Sequence, residues 1–332
     1  MEVIDFVASQ SHFGDHLAPV WWALPPETRG DFYACTRHVA KHLTALGIEP
    51  RLGAPREPGS PLLFAGYHDY TEAHPTRPLA YLEHGTGQSY IGAHVERHPS
   101  YPGGTQRERI GLFLVPNEQS AAKERALYPN ARIEVVGCPR LDEFPALVRP
   151  SGGLVVAVAF HWDWRGCPET RWAFPDWSKR ILHELRDDPE VTLLGSGHPR
   201  AWHQLARFYD REGIETVPDA NEVLRRADVL VCDNSSLMFE AQACGLGVVA
   251  LNARWYRPDV EHGLRFWSRC PRPSLWPTDE PGALARAVRY VADPARRFEQ
   301  MADVSDLYPA FSRGVSAKMA REALLAWLRG MG

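Results

Sequence analysis

Several apolar runs in this chain end abruptly in residues that bind anions or move protons. "VLVCDNSSLMFEAQACG" (229–245) passes from a strand-like run through Asp233, Asn234, Ser235 and Ser236 into a helical pattern over 236–244. The unpaired N–H groups and positive dipole of a first helical turn favour a phosphate, and two hydroxyls add donors without bulk. Glu240, one turn on, could reach ribose hydroxyls beside a bound diphosphate. The same residue types also cap helices. "LLGSGHPRAW" (193–202) places Gly197, His198, Pro199 and Arg200 after a second run. An imidazole and a guanidinium there could donate charge-assisted bonds to phosphate oxygens.

"PLAYLEHGTGQSY" (78–90) ends a third run in Glu83, His84, Gly85, Thr86 and Gly87. A histidine between a strand end and permissive glycines could take the proton of an attacking hydroxyl. The alternative is a buried imidazole bonded to backbone. "SQSHFGDHLAPVWWAL" (9–24), read as the loop after the first strand, offers His12, Asp15 and His16. An Asp15–His16 pair would be an oriented base, or Asp15 would cap a helix. In "VVGCPRLDEF" (135–144), Arg140 and Asp142 would pair with each other or stiffen a hinge. His38 and His42 share a helix face but have no further ligand, and read as a solvated face. Arginines and aromatics over 254–276 would form an acceptor platform or a packed loop.

These residues need a scaffold that gathers strand ends. Strand-like runs at 3–9, 61–67, 78–84, 111–117 and 132–138 alternate with helices expected over 30–47 and 118–127. After a Pro/Gly linker at 148–153, a second series has strands at 154–160, 191–197, 214–218, 229–235 and 247–252. Its helices are expected near 175–187, 200–212, 220–226 and 236–244, and the last fifty residues read as helical. Such alternation indicates βαβ units in parallel sheets, whose ligands bind at the carboxyl ends of the strands. The expected fold is α/β, two Rossmann-like doubly wound domains facing a central cleft. Residues 1–149 would form the first domain and 150–310 the second, with 311–332 packing back toward the first.

The bulk composition narrows the class. A chain of 332 residues is long for one core, and 44% hydrophobic with 23% charged residues is globular. A net charge of −4 argues against a protein devoted to gripping nucleic-acid backbone. The apolar runs are strand-sized, and the N-terminus lacks the features of a signal peptide, so a cytoplasmic protein without a transmembrane segment is expected, peripheral membrane contact staying open. The six cysteines form no C-x-x-C pair, and no P-loop, G-x-S-x-G or H-E-x-x-H motif occurs.

Taken together, the motifs resemble the CDP-glycerol glycerophosphotransferase family, the teichoic-acid primases and polymerases with a GT-B fold. The family's HGTP motif is matched by "HGTG" at 84–87 except in its last residue. Its G-x-P-R-x-D is matched by Gly137, Pro139, Arg140 and Asp142, and its His–Pro turn by His198 and Pro199. Its D-Y-S-S-x-x-F-D is matched by Asp233, Ser235, Ser236 and Phe239, with Asn234 replacing tyrosine and Glu240 replacing aspartate. The resemblance implies a nucleotide-diphosphate donor, CDP- or UDP-linked, held mainly by the second domain, with His84 and His198 essential.

The expectation is therefore a metal-independent transferase without a cofactor, moving a glycosyl or glycerophosphate-type group to an acceptor hydroxyl, which a polymer could carry. Asn234, Ser235, Ser236, Glu240, Gly197 and Arg200 would hold the donor, and Gly85, Thr86, Arg140 and Asp142 would line the acceptor side or hinge. The catalytic candidates are His84, His198, Asp15 and His16. The alternatives are a UDP-sugar 2-epimerase-like enzyme, a glycosyltransferase acting on modified DNA bases, and a non-catalytic nucleotide-sugar sensor.

Overall fold

The computed structural model describes residues 3–66, 69, 75–85, 104–144, 153–163, 171–256, 274–275, 280–308 and 314–331. The chain divides into two compact units. One is drawn from the described parts of 1–86, 95–143 and 306–332, the other from those of 144–305.

The first unit holds strands β1 (Ile4–Ala8), β2 (Arg29–Ala34), β3 (Arg51–Leu52), β4 (Leu62–Phe64), β5 (Leu79–Leu82), β6 (Ile110–Val115) and β7 (Arg132–Val135). They form one parallel sheet in the order β3-β2-β1-β4-β5-β6-β7. Parallel strands buried on both faces must be apolar rather than alternating, which is how "IGLFLV" reads, and how "IDFVA" reads apart from Asp5, whose buried carboxylate is paired with Arg77. Ile4, Phe6, Ala8, Leu82 and Leu114 face helices α1 (Ser11–Ala23) and α2 (Arg37–Ala45). Val7, Phe64, Tyr81 and Phe113 pack on the other face, where α3 (Glu118–Leu127) buries Ala121.

The second unit holds β8 (Leu154–Phe160), β9 (Val191–Gly197), β10 (Glu215–Thr216), β11 (Val229–Cys232), β12 (Gly247–Leu251) and β13 (Ser274–Leu275), all parallel, in the order β10-β9-β8-β11-β12-β13. Its helices are α4 (Phe174–Ile181), α5 (Trp202–Arg211), α6 (Ala220–Arg226), α7 (Leu237–Ala243), α8 (Ala283–Ala292) and α9 (Pro294–Asp303). Val156, Val158 and Phe160 centre a core closed by Trp177 of α4, Leu205 of α5 and Val288 of α8.

In both sheets the first strand has its successor on one side and its fourth strand on the other. That is the doubly wound switch point, where neighbouring crossovers lie on opposite faces and leave a crevice at the carboxyl edge. The switch falls between β1 and β4 in the first unit and between β8 and β11 in the second.

Besides the short strands β3 and β13, which were not expected, two segments depart from the sequence reading. The helix expected over 30–47 is two elements, β2 and the shorter α2, separated at Thr36, whose side chain caps α2 by accepting from Val39 N–H. The segment read as a loop after β1 is the helix α1, held by burial of Phe13, Leu17 and Val20 despite Pro19.

The chain's final helix, α10 (Ser316–Arg329), packs on α1 and buries Ala320, Leu324 and Leu328 in the first unit's core. Its first turn is held by Asp142, which accepts from the N–H groups of Gly314 at 2.9 Å, Ser316 at 2.9 Å and Ala317 at 2.8 Å. Asp142 thus caps a helix 174 residues away instead of pairing with Arg140. Replacing Asp142 by alanine is expected to cost about 1–2 kcal/mol of stability, the usual worth of a cap, read as a lower denaturation midpoint.

Candidate functional site

In the first unit the switch point is lined by the start of α1 and the ends of β4 and β5. His84 follows β5, and its Nδ1–H donates to the carbonyl of Ala65 just after β4. That bond fixes the neutral tautomer in which Nε2 accepts a proton. Ring contacts from α1 enclose it: Phe13 at 4.7 Å edge-on, His12 at 6.1 Å and His16 at 6.3 Å between centroids. Burial pushes the His84 imidazole down to about 4, so it is uncharged at neutral pH. Gly85 turns the chain away at a φ of 86°, a conformation that a side chain would strain. Thr86, like Gly87, lies outside the described residues.

The Asp15–His16 pair does not form. Asp15 Oδ1 lies 2.7 Å from Nε2 of His42, tying α1 to α2. His42 is therefore half-buried and paired, not part of a solvated face, whereas His38 is exposed. The two neighbours of the α1 turn point apart because adjacent positions on a helix do not share a face. His16 instead is buried with Nδ1 4.0 Å from Cys138 Sγ. Burial, then the Arg140 guanidinium and His84, hold it well below the ordinary histidine value. Arg140 is buried in the turn after β7 and contributes a fixed positive potential beside His16.

Glu83 and His84 also point apart, to opposite faces of the sheet as strand geometry requires. Glu83 is buried on the α3 face. Burial pushes its carboxyl up to about 7, moderated by Lys123 and Arg107 and reinforced by Glu124. It is not an ion-pair partner of His84.

In the second unit the carboxyl edge gathers residues from β8, β9 and β11. Asp233 is fully buried and accepts from the N–H groups of His161 at 2.7 Å and Ala173 at 2.8 Å. It fastens the end of β11 to the loop after β8 and to the start of α4. Asn234 is enclosed, its carboxamide nitrogen and oxygen both without a hydrogen-bond partner among the described residues. Ser235 and Ser236 are half-buried. Ser235 Oγ accepts from Leu237 N–H at 3.3 Å, which is a cap; its own O–H is still a donor. Glu240 is buried in the first turn of α7.

His198 follows β9, half-buried, and its Nδ1 accepts from the N–H of Arg200 at 3.1 Å. Nε2 therefore carries the proton, the reverse of His84. Arg200 is exposed and rests its guanidinium 4.8 Å from the Trp162 ring centroid. Gly197 is explained by packing: a Cβ there would meet Leu205 Cδ1 at 2.2 Å and the Phe160 carbonyl oxygen at 2.9 Å. His161 and Trp162 were not among the sequence candidates, although "FHWDW" directly follows the apolar run of β8.

Arg254, at the start of the arginine–aromatic segment, pairs with Asp176 of α4, and Arg171 stacks on Trp255 at 4.3 Å. Residues 257–273 and 276 of that segment lie outside the described residues. Among the described residues, no group of three or more His, Cys, Asp or Glu side chains could hold a metal ion, and no helix is long and apolar enough to cross a membrane.

Two parallel sheets with the same doubly wound order, each with polar residues at its switch point, define an α/β protein with the GT-B fold. The chain is similar to a solved structure of the wall teichoic acid polymerase TagF soaked with CDPG, at 14% identity over 99% of this chain and 89% of that one, with a TM-score of 0.67. It is similar to S. aureus MnaA with UDP at 13% identity, over 99% and 97% of the two chains, TM-score 0.63. A UDP-GlcNAc 2-epimerase from Neisseria meningitidis bound to UDP-GlcNAc matches at 12% identity, over 98% and 100%, TM-score 0.61. No family model matches the chain, and no curated protein does. At these identities the likeness is one of fold.

Proposed function

We propose that the chain is a transferase moving a glycosyl or glycerophosphate-type group from a CDP- or UDP-linked donor to an acceptor hydroxyl, in the manner of the CDP-glycerol glycerophosphotransferases it resembles in sequence motifs. The observation that carries this reading is the opposed polarity of two histidines. His84 Nε2 is a proton acceptor, and His198 Nε2–H is a hydrogen-bond donor. A transfer reaction needs one of each: a base for the attacking hydroxyl and donors for the departing phosphate.

In this scheme the acceptor oxygen attacks as its proton passes to His84 Nε2. The bond to the nucleotide breaks, and its electron pair leaves on a phosphate oxygen. His198 Nε2–H and the hydroxyls of Ser235 and Ser236 donate to that phosphate, and Arg200 leaves Trp162 to add charge. Preorganised donors of this kind contribute the larger part of such catalysis. They supply the positive potential that a metal would otherwise provide, so the scheme needs no metal and no cofactor. The acceptor is any accessible hydroxyl compound, polymeric or small.

A second reading, a UDP-sugar 2-epimerase, is supported by the epimerase of similar fold. It shares the donor site and differs in needing no acceptor. Incubation with UDP-GlcNAc or CDPG, with and without an acceptor polyol, separates the two by chromatography of the nucleotide and NMR of the sugar. Acceptor-dependent nucleotide release is expected. An epimer formed without acceptor would replace the transferase by the epimerase, and binding without any turnover would leave a nucleotide-sugar sensor.

A further inference from the structure

The turn between β11 and α7 treats its polar side chains unequally. Asp233 accepts from two backbone N–H groups, and Ser235 Oγ accepts from Leu237 N–H at 3.3 Å. Asn234 stands between them, fully buried, and neither its Nδ2 nor its Oδ1 has a hydrogen-bond partner among the described residues. Both ends are unpaired, so flipping the carboxamide changes nothing. A buried amide in this state is destabilising, and native interiors rarely keep one without a reason. Gln300 of α9 shows the ordinary treatment: its Oε1 accepts from Val248 N–H at 2.7 Å, and its Nε2 donates to the Val248 carbonyl at 2.9 Å.

The place of Asn234 supplies the reason. It comes two residues after β11, next to the switch point between β8 and β11, where a doubly wound sheet takes its ligand. A carboxamide offers donors and an acceptor in one plane. A phosphate oxygen can only accept, and would leave Oδ1 facing negative charge. Two neighbouring hydroxyls both donate and accept, and so satisfy the two ends together. The amide is enclosed, so contact requires the side chain to turn outward, and none of its own hydrogen bonds is broken when it does.

We propose that Asn234 is a specificity-determining residue of the donor site, its carboxamide pairing with a vicinal diol of the nucleotide-linked substrate. This deepens the proposed function and rests on it. With Ser235 and Ser236 on the phosphate, the adjacent side chain of the turn falls to the groups esterified to the diphosphate. Two such groups carry vicinal hydroxyls: the ribose, and the transferred sugar or glyceryl group. Oδ1 accepts from one hydroxyl while Nδ2–H donates to the oxygen of its neighbour, and no covalent bond forms. Binding thereby removes a penalty that the ligand-free protein carries, so the diol counts for more than in a site hydrated beforehand.

The test is equilibrium binding of UDP, its 2′,3′-dideoxy analogue, CDP, UDP-GlcNAc and CDPG to the whole protein. The same series is run on Asn234→Leu, which keeps a branched side chain without the amide, and on the smaller Asn234→Ala. The wild-type protein is expected to bind about 10–100-fold more weakly when the diol is missing. Both variants should lose that factor only for ligands that carry the diol. If the ribose is the source, the loss separates UDP from its dideoxy analogue. If the transferred group is the source, it separates CDPG from CDP and UDP-GlcNAc from UDP. Unchanged affinity for the ligand lacking that diol reports that a variant is folded. A wild-type protein indifferent to both diols would overturn the inference and leave the donor site standing, without any variant having to fold. Variants whose loss is absent, or equal for every ligand, would overturn it as well. Failure of all these compounds to bind the wild-type protein would overturn the donor site and this inference with it.

Discussion

Replacing His84 by alanine is expected to lower the rate of transfer by about 10²–10⁴-fold and to leave donor affinity unchanged. The loss follows from the tautomer. The Ala65 carbonyl holds Nδ1–H, so in the proposed scheme only Nε2 would receive the acceptor's proton. Donor affinity should survive because the proposed donor contacts all belong to the other unit. The pH profile gives a second readout. With an imidazole pushed down to about 4, the base is competent over the whole neutral range, and its acid limb should fall near pH 4 rather than near 6.5. Single-turnover rates and equilibrium binding check both points. A variant that loses donor affinity along with rate would make His84 a binding contact, and one that keeps its rate would remove it from the chemistry.

Replacing Glu83 by glutamine is expected to stabilise the protein by about 3 kcal/mol at alkaline pH and to change little below about pH 4.5. Burial raises this carboxyl from an ordinary value of 4.5 to about 7, so the folded protein holds its proton more tightly than the unfolded chain does. The resulting stabilisation is complete below 4.5, is lost as the pH rises, and is gone above about 7. Glutamine mimics the protonated acid and cannot ionise beside Glu124. His84 works in the other sense: its lowered value makes stability fall as the pH drops from 6.5 toward 4. Denaturant unfolding of wild type and variant at a series of pH values should show the two curves separating through that upper window. Parallel curves would mean that Glu83 is hydrated in solution.

The strands nearest the candidate sites were legible because a parallel strand covered on both faces has to be apolar, and "VVAVAF" or "VLVC" admits little else. β2 was hidden for a related reason. "GDFYAC" carries no alternation, and the amphipathic pattern of α2 follows too closely to show a boundary before Thr36. α1 was obscured by Gly14 and Pro19, poor helix formers whose cost is overridden by packing that no local pattern reveals. Among site residues, the positions after strand ends were readable one by one; their partners were not. Asp15 could be seen as an acid near a histidine, but its choice of His42 depends on how α2 lies against α1. Asp142 reaches a helix encoded 174 residues later. His161 escaped notice because it stands within an aromatic run, and only the register of β8 with β9 brings it to His198.

The Asp142 cap carries a consequence for biosynthesis. Among the described residues, the second unit is drawn from 144–305 alone, and the strands of its sheet all precede residue 276. The unit that begins the chain is discontinuous: its core takes Leu324 and Leu328 from α10. During translation the strands of the first sheet must therefore wait, with part of one face uncovered, until residues 316–329 have been made. The core of the first unit is thus completed only after that of the second has been encoded, against the usual N-terminal-first sequence. A nascent chain whose residues 316–329 are still inside the ribosome would present the first unit with that face open, a form exposed to chaperones and proteases.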